Sequence, residues 1–102
     1  MRSNLTIEDI KQVAIPIAIE FGVGRLALFG SYARGEHHEY SDIDFLIEKG
    51  NIRDFFQYND FLQRLEDELG VPVDLVTYDA LKSSMIADVI KEEVLLYERK
   101  DS

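Results

Sequence analysis

Two hydrophobic periodicities alternate along this chain, and that alternation leaves few folds open. Between Thr6 and Phe21 apolar residues recur at Ile7, Ile10, Val13, Ala14, Ile17, Ala18 and Phe21, the spacing of an amphipathic helix. Thr6 is placed to cap it, Glu8 and Asp9 complement the dipole of its first turn, and Gly22 and Gly24 end it. Pro16 removes a backbone donor inside the pattern and is expected to kink or interrupt the helix. Leu26-Ala27-Leu28-Phe29 is too short for a helix and reads as a buried strand stopped by Gly30. Asp42 to Glu48 alternates as a second strand, with Ile43, Phe45 and Ile47 on one side. A second helix is expected from Arg53 to Leu69, with Phe55, Tyr58, Leu62, Leu65 and Leu69 inward and Gly70 closing it. A third strand, Val73 to Thr77, follows Pro72. Asp79 is a candidate cap for a last helical region that turns Met85, Ile86, Val89 and Ile90 inward, and Val94 to Tyr97 fits helix or strand equally well.

Helices alternating with strands imply an α/β or α+β fold, a sheet with helices packed against it. The chain has 102 residues and no repeats or linker, so a single domain over 1–102 is expected. No apolar run is long enough to cross a bilayer, and the opening residues do not form a secretory leader. With no cysteine, disulfide frameworks, thiolate metal sites and thiol nucleophiles are excluded, and a cytoplasmic location is the default expectation. A formal charge of −9 repels a polyanion, so direct nucleic-acid binding is not expected. Such a chain suits cations or a basic protein partner, although solubility alone explains acidity just as simply.

The chemistry concentrates in Gly30-Ser31-Tyr32-Ala33-Arg34-Gly35 and Ser41-Asp42-Ile43-Asp44. Residues two apart on a strand share a face, so Asp42 and Asp44 project together, beside Leu46. Two partly desolvated carboxylates repel each other and want a proton or a cation, and a hard divalent ion satisfies both. Asp74 lies in the apolar strand Val73-Asp74-Leu75-Val76, where an unpaired charge is costly. If the two strands are neighbours, it completes a three-carboxylate cradle. Such a cradle holds one or two Mg²⁺ ions and serves in-line displacement at phosphorus. Gly30 permits a tight turn off the strand, and Ser31 offers a hydroxyl and an amide where anions are favoured. These parts together point to phosphoryl or nucleotidyl transfer. Neither an EF-hand loop nor a Walker-type phosphate loop fits the spacing.

Gly30-Ser31, ten intervening residues and then Asp42-Ile43-Asp44 resemble the signature of the DNA polymerase β-type nucleotidyltransferase superfamily. The fuller string from Leu28 to Gly35, followed by Ser41-Asp42-Ile43-Asp44, resembles its minimal nucleotidyltransferase (MNT) branch, whose stand-alone domains have about this length. The resemblance implies the nucleotidyltransferase fold, a small mixed sheet with helices mainly on one face. It implies that Asp42 and Asp44 bind metal with Asp74 as third carboxylate, and that Gly30 and Ser31 contact the triphosphate of ATP. It further implies an antitoxin that hetero-oligomerises with a small helical HEPN ribonuclease toxin, neutralising it by Mg²⁺-dependent transfer of AMP to a tyrosine hydroxyl. A chain without an added substrate domain must take its recognition surface from the acceptor, which a protein supplies. Two alternatives stay open: an antitoxin that acts by binding alone, and an aminoglycoside-type nucleotidyltransferase completed by a separate substrate subunit.

Other residues draw weaker readings. Arg34 either steadies the nucleotide phosphates or pairs with Glu36 or Glu39, and His37 and His38 read as a solvated loop. Glu48 reads as an exposed strand end, Tyr97 as core or interface, and Glu66-Asp67-Glu68 as a solvated helix end.

Overall fold

The computed structural model describes residues 5–36, 42–81 and 83–100. Helix α1 (Ile7–Phe21) leads to strand β1 (Arg25–Phe29), the short helix α2 (Gly30–Arg34) and strand β2 (Ile43–Glu48). Helix α3 (Phe55–Leu69), strand β3 (Val73–Thr77), a 3₁₀ turn (Tyr78–Ala80), helix α4 (Ser83–Glu92) and strand β4 (Val94–Glu98) complete the chain. The sheet order is β3-β2-β1-β4, with β1 antiparallel to both neighbours and β2 parallel to β3. That is the mixed sheet expected, and it settles Val94 to Tyr97 as strand.

The helix boundaries follow from local chemistry. Thr6 caps α1 in a reciprocal capping box: its hydroxyl accepts from Asp9 N–H while the Asp9 carboxylate accepts from Thr6 N–H, each at 3.0 Å. Pro16 does not interrupt α1, which is one continuous element. The proline is exposed, so the carbonyl its ring leaves unpaired one turn earlier can turn to water. Asp54 caps α3, so the helix begins at Phe55 rather than Arg53. Asp79 caps nothing and lies inside the 3₁₀ turn.

One sheet face is covered by α1 and α3. Ile10, Ala14, Ile17 and Ala18 from α1 and Phe61, Leu65 and Leu69 from α3 meet Leu26, Leu28, Ile43, Phe45 and Ile47. The Phe21 and Phe61 rings lie 5.3 Å apart between the helices. Burying each of these larger side chains stabilises the fold by about 1.5–3 kcal/mol. Of the expected inward face of α3, Tyr58, Leu62, Leu65 and Leu69 pack on the core, whereas Phe55 is 71% exposed and Phe61 is fully buried in its stead. Phe55 sits in the first turn, where it lines a groove with Leu75 and Val76 instead of entering the core.

The opposite face is only partly covered. Val89 of α4 packs on Ala27 and Leu46, whereas Met85, expected inward, is 46% exposed; the Ile90 side chain lies outside the described residues. Beside this patch, Glu93 is buried against Arg25, with Glu93 Oε2 2.6 Å from Arg25 Nη2, and its Oε1 accepts from the Tyr78 hydroxyl at 2.8 Å. These contacts tie the 3₁₀ turn and the end of α4 to β1. Both ends of the segment that crosses this face are thereby fixed, and the sheet beyond it is left open at Asp44 and Asp74.

Candidate active site

Parallel pairing of β2 with β3 sets Asp44 directly opposite Asp74. Both follow an inward-facing residue, Ile43 and Val73, so both carboxylates project from the face that α1 and α3 do not cover. Asp42 immediately precedes β2 instead of lying within it. Asp44 is half-buried, while Asp42 and Asp74 are exposed. The Asp44 carboxyl is held above the usual carboxylate range, first by burial, then by the charge of Asp74 and a hydrogen bond to it, and then by the charge of Asp42. Asp74 therefore lies beside Asp44, as the strand register requires.

Gly30 forms the floor of this cluster. It leaves β1 at φ +69°, a left-handed conformation that glycine adopts without strain. A Cβ built there would overlap Asp44 Oδ2 and stand 3.1 Å from its Cγ. The glycine is needed twice over, for the backbone turn and for the volume that the carboxylate occupies. Ser31 follows in the first turn of α2, half-buried, and Gly35 (φ +72°) closes that helix.

Arg34 is exposed, and its Nε donates to Glu36 Oε1 at 2.8 Å while Glu92 Oε2 lies 4.0 Å from its Nη1. The expected pairing with Glu36 is formed, and the guanidinium charge also reaches Asp44 and lowers that carboxyl's affinity for a proton. Glu48 is exposed and Tyr97 half-buried, as their positions suggested. His37, His38, Glu39 and Ser41 lie outside the described residues.

Glu66 corrects the sequence reading. Half-buried rather than solvated, its Oε2 accepts from the Val73 N–H at 3.0 Å, next to Asp74. Tyr58, read only as a core residue, donates its hydroxyl to the Leu75 carbonyl on the other side of Asp74. Helical spacing exposes neither role, because both partners are backbone groups of a strand that only the fold brings alongside.

The donor set suits a hard divalent cation. Three carboxylates supply oxygen ligands, and the raised Asp44 carboxyl marks a place where added positive charge is favourable. Among the described residues no three such groups are gathered closely enough to form a ready-made metal cage, although Asp44 and Asp74 are within hydrogen-bonding reach of each other. A groove of about 520 Å³, lined in part by Lys49, Arg53, Phe55, Tyr58 and Val76, opens elsewhere along β3 and includes none of the three carboxylates. The carboxylate site is defined by charge and register, not by depth.

Comparison with known proteins is informative at this point. Residues 10–102 match the family described as "Polymerase beta, Nucleotidyltransferase". The chain belongs to this nucleotidyltransferase family. Protein adenylyltransferase MntA of Thermococcus cleftensis is 37% identical over 94 residues, spanning 88% of this chain and 95% of the relative. A crystal structure of a toxin–antitoxin with AMP-PNP contains a chain 24% identical that superposes with a TM-score of 0.74, covering 88% of this chain and 74% of that one. The complex of a tri-AMPylated Shewanella oneidensis HEPN toxin with its MNT antitoxin contains another, 20% identical, with a TM-score of 0.68 over 90% and 72% of the two chains. At those identities the two structures establish the nucleotidyltransferase fold.

Proposed function

We propose that residues 1–102 form a single MNT domain, the cytoplasmic antitoxin of a HEPN ribonuclease toxin, and that it neutralises its partner by transferring AMP from ATP to a tyrosine hydroxyl. The observation that carries the reading is the in-register pairing of Asp44 with Asp74, with Gly30 cleared of side-chain volume beneath them. The relatives support the substrate class: one is named a protein adenylyltransferase, one belongs to a toxin–antitoxin with AMP-PNP, and one to a complex with an AMPylated toxin.

Asp42, Asp44 and Asp74 would hold Mg²⁺. When bound, the ion neutralises charge on the phosphates and lowers the pKa of the acceptor hydroxyl. The chain's own residues do the rest. Gly30 and Ser31 receive the β- and γ-phosphates against backbone amides, fixing the α-phosphorus beside the carboxylates. Asp74, exposed at the sheet edge, faces the incoming tyrosine and accepts its proton. The tyrosine oxygen then bonds to the α-phosphorus as the bond to the bridging β-phosphate oxygen breaks, and pyrophosphate departs. Because Asp74 and Asp42 are exposed, the acceptor protein itself must shut out water.

The test is incubation of the chain with a candidate HEPN partner, labelled ATP and Mg²⁺. Covalent AMP on a partner tyrosine is expected, and Asp44→Asn should abolish it without unfolding the domain. Neutralisation of the partner with no label would leave a binding antitoxin. Labelling of an aminoglycoside and not the protein would reassign the acceptor.

A further inference from the structure

Asp74 stands on β3, which is the edge strand of the sheet. An edge strand is held on one side only, and a short one frays readily. The Ile43 N–H donates to the Pro72 carbonyl at 3.1 Å, so Pro72 turns its backbone toward β2. Backbone groups alternate along a strand, and Val73 and Leu75 accordingly turn theirs to the open edge. Those are the residues that α3 engages. Glu66 supplies an acceptor to the Val73 N–H, and Tyr58 supplies a donor to the Leu75 carbonyl. Each side chain offers the hydrogen-bonding sense that its backbone partner lacks. The two stand eight residues apart on α3, about two turns, and straddle Asp74 from the edge where a fifth strand would lie. Between them in sequence, Phe61 and Leu65 anchor the same helix in the core.

We propose that Tyr58 and Glu66 are positioning residues that fix the Asp74 carboxylate by clamping β3 to α3. This rests on the nucleotidyl-transfer reading above. The clamp joins the rigid core to the edge-strand member of the carboxylate trio, so it sets how well Asp74 shares a cation with Asp44. Tyr58→Phe removes one hydroxyl and keeps the ring. Glu66→Ala removes the acceptor, while Glu66→Gln retains a carbonyl oxygen for the same N–H.

The full-length chain and these variants would be compared in AMP transfer across a Mg²⁺ series. Their thermal stabilisation by Mg²⁺ with AMP-PNP and the amide hydrogen exchange of Val73 would be followed in parallel. Tyr58→Phe and Glu66→Ala should each raise the Mg²⁺ concentration needed for half-maximal transfer by about 10-fold or more. They should also shrink the stabilisation by Mg²⁺ and nucleotide, with Glu66→Gln close to the parent in both. Rapid Val73 exchange in Glu66→Ala with the parent's Mg²⁺ dependence would overturn the proposal and leave a purely structural contact. If the parent transfers nothing, the functional reading fails on its own. The clamp is then judged by the stabilisation alone, and a response equal to the parent's in both variants would refute it.

Discussion

Gly30→Ala separates backbone strain from site chemistry, because the structure supplies its own control. Gly30 and Gly70 share nearly the same left-handed backbone, φ +69° and +74°. A Cβ at Gly70 would meet nothing within 4 Å, whereas one at Gly30 would overlap Asp44 Oδ2. Placing alanine in that conformation costs about 1–2 kcal/mol at either position. At Gly30 the carboxylate must also retreat by about 1 Å to regain an ordinary contact. Asp74 blocks its other side, so Asp44 can retreat only by leaving its rotamer, which adds about 0.5–1.5 kcal/mol. Stability by urea denaturation should therefore fall by roughly 1.5–3.5 kcal/mol for Gly30→Ala and by about 1–2 for Gly70→Ala. Transfer should diverge far more. Displacing a reacting group by about 1 Å costs on the order of 100-fold, so Gly30→Ala should lose that much and Gly70→Ala almost none. Equal transfer by the two variants would refute the claim that Gly30 exists to seat Asp44.

Two further outcomes follow from the same geometry. The Asp44 carboxyl is raised in the folded state, so its contribution to stability is complete below the unfolded value of about 3.9 and is lost as pH rises through the folded one. In EDTA, Asp44→Asn should therefore melt above the parent at pH 7, the gap closing toward pH 4, and a pH-independent difference would contradict the assignment. On α3, Phe61→Ala should cost about 3–5 kcal/mol while Phe55→Ser stays within about 0.5 kcal/mol, measured by chemical denaturation; the reverse order would mean the helix is seated on its other stripe.

Much of the candidate site was legible because its signals are local. Gly30-Ser31 ends an apolar run, and Asp42-Ile43-Asp44 opens another at a period that places two acids together. The third acid was legible only as an anomaly, a charge in an apolar strand. Its neighbour depended on which strand lay beside it, and the sequence carries no mark of the parallel β2–β3 pairing. The clamp from α3 was invisible for the same reason. Tyr58 fits an apolar stripe and Glu66 an acidic helix end, and only the packed helix shows that each meets a backbone group of β3.

Periodicity, caps and glycines by themselves determined the alternation of helix and strand, the start of α1 at Thr6 and the bend at Gly30. These depend on contacts within a few residues, which the chain carries wherever it goes. Tertiary structure decided that Phe61 and not Phe55 is the buried phenylalanine of α3, that α1 runs through Pro16, and that Val94 to Glu98 pairs as a strand with β1. It also decided the meeting of Asp44 with Asp74 across 30 residues of chain. Burial and strand pairing are properties of surfaces brought together, and the Asp44 carboxyl acquires its raised proton affinity only once folding has buried it and set another carboxylate beside it.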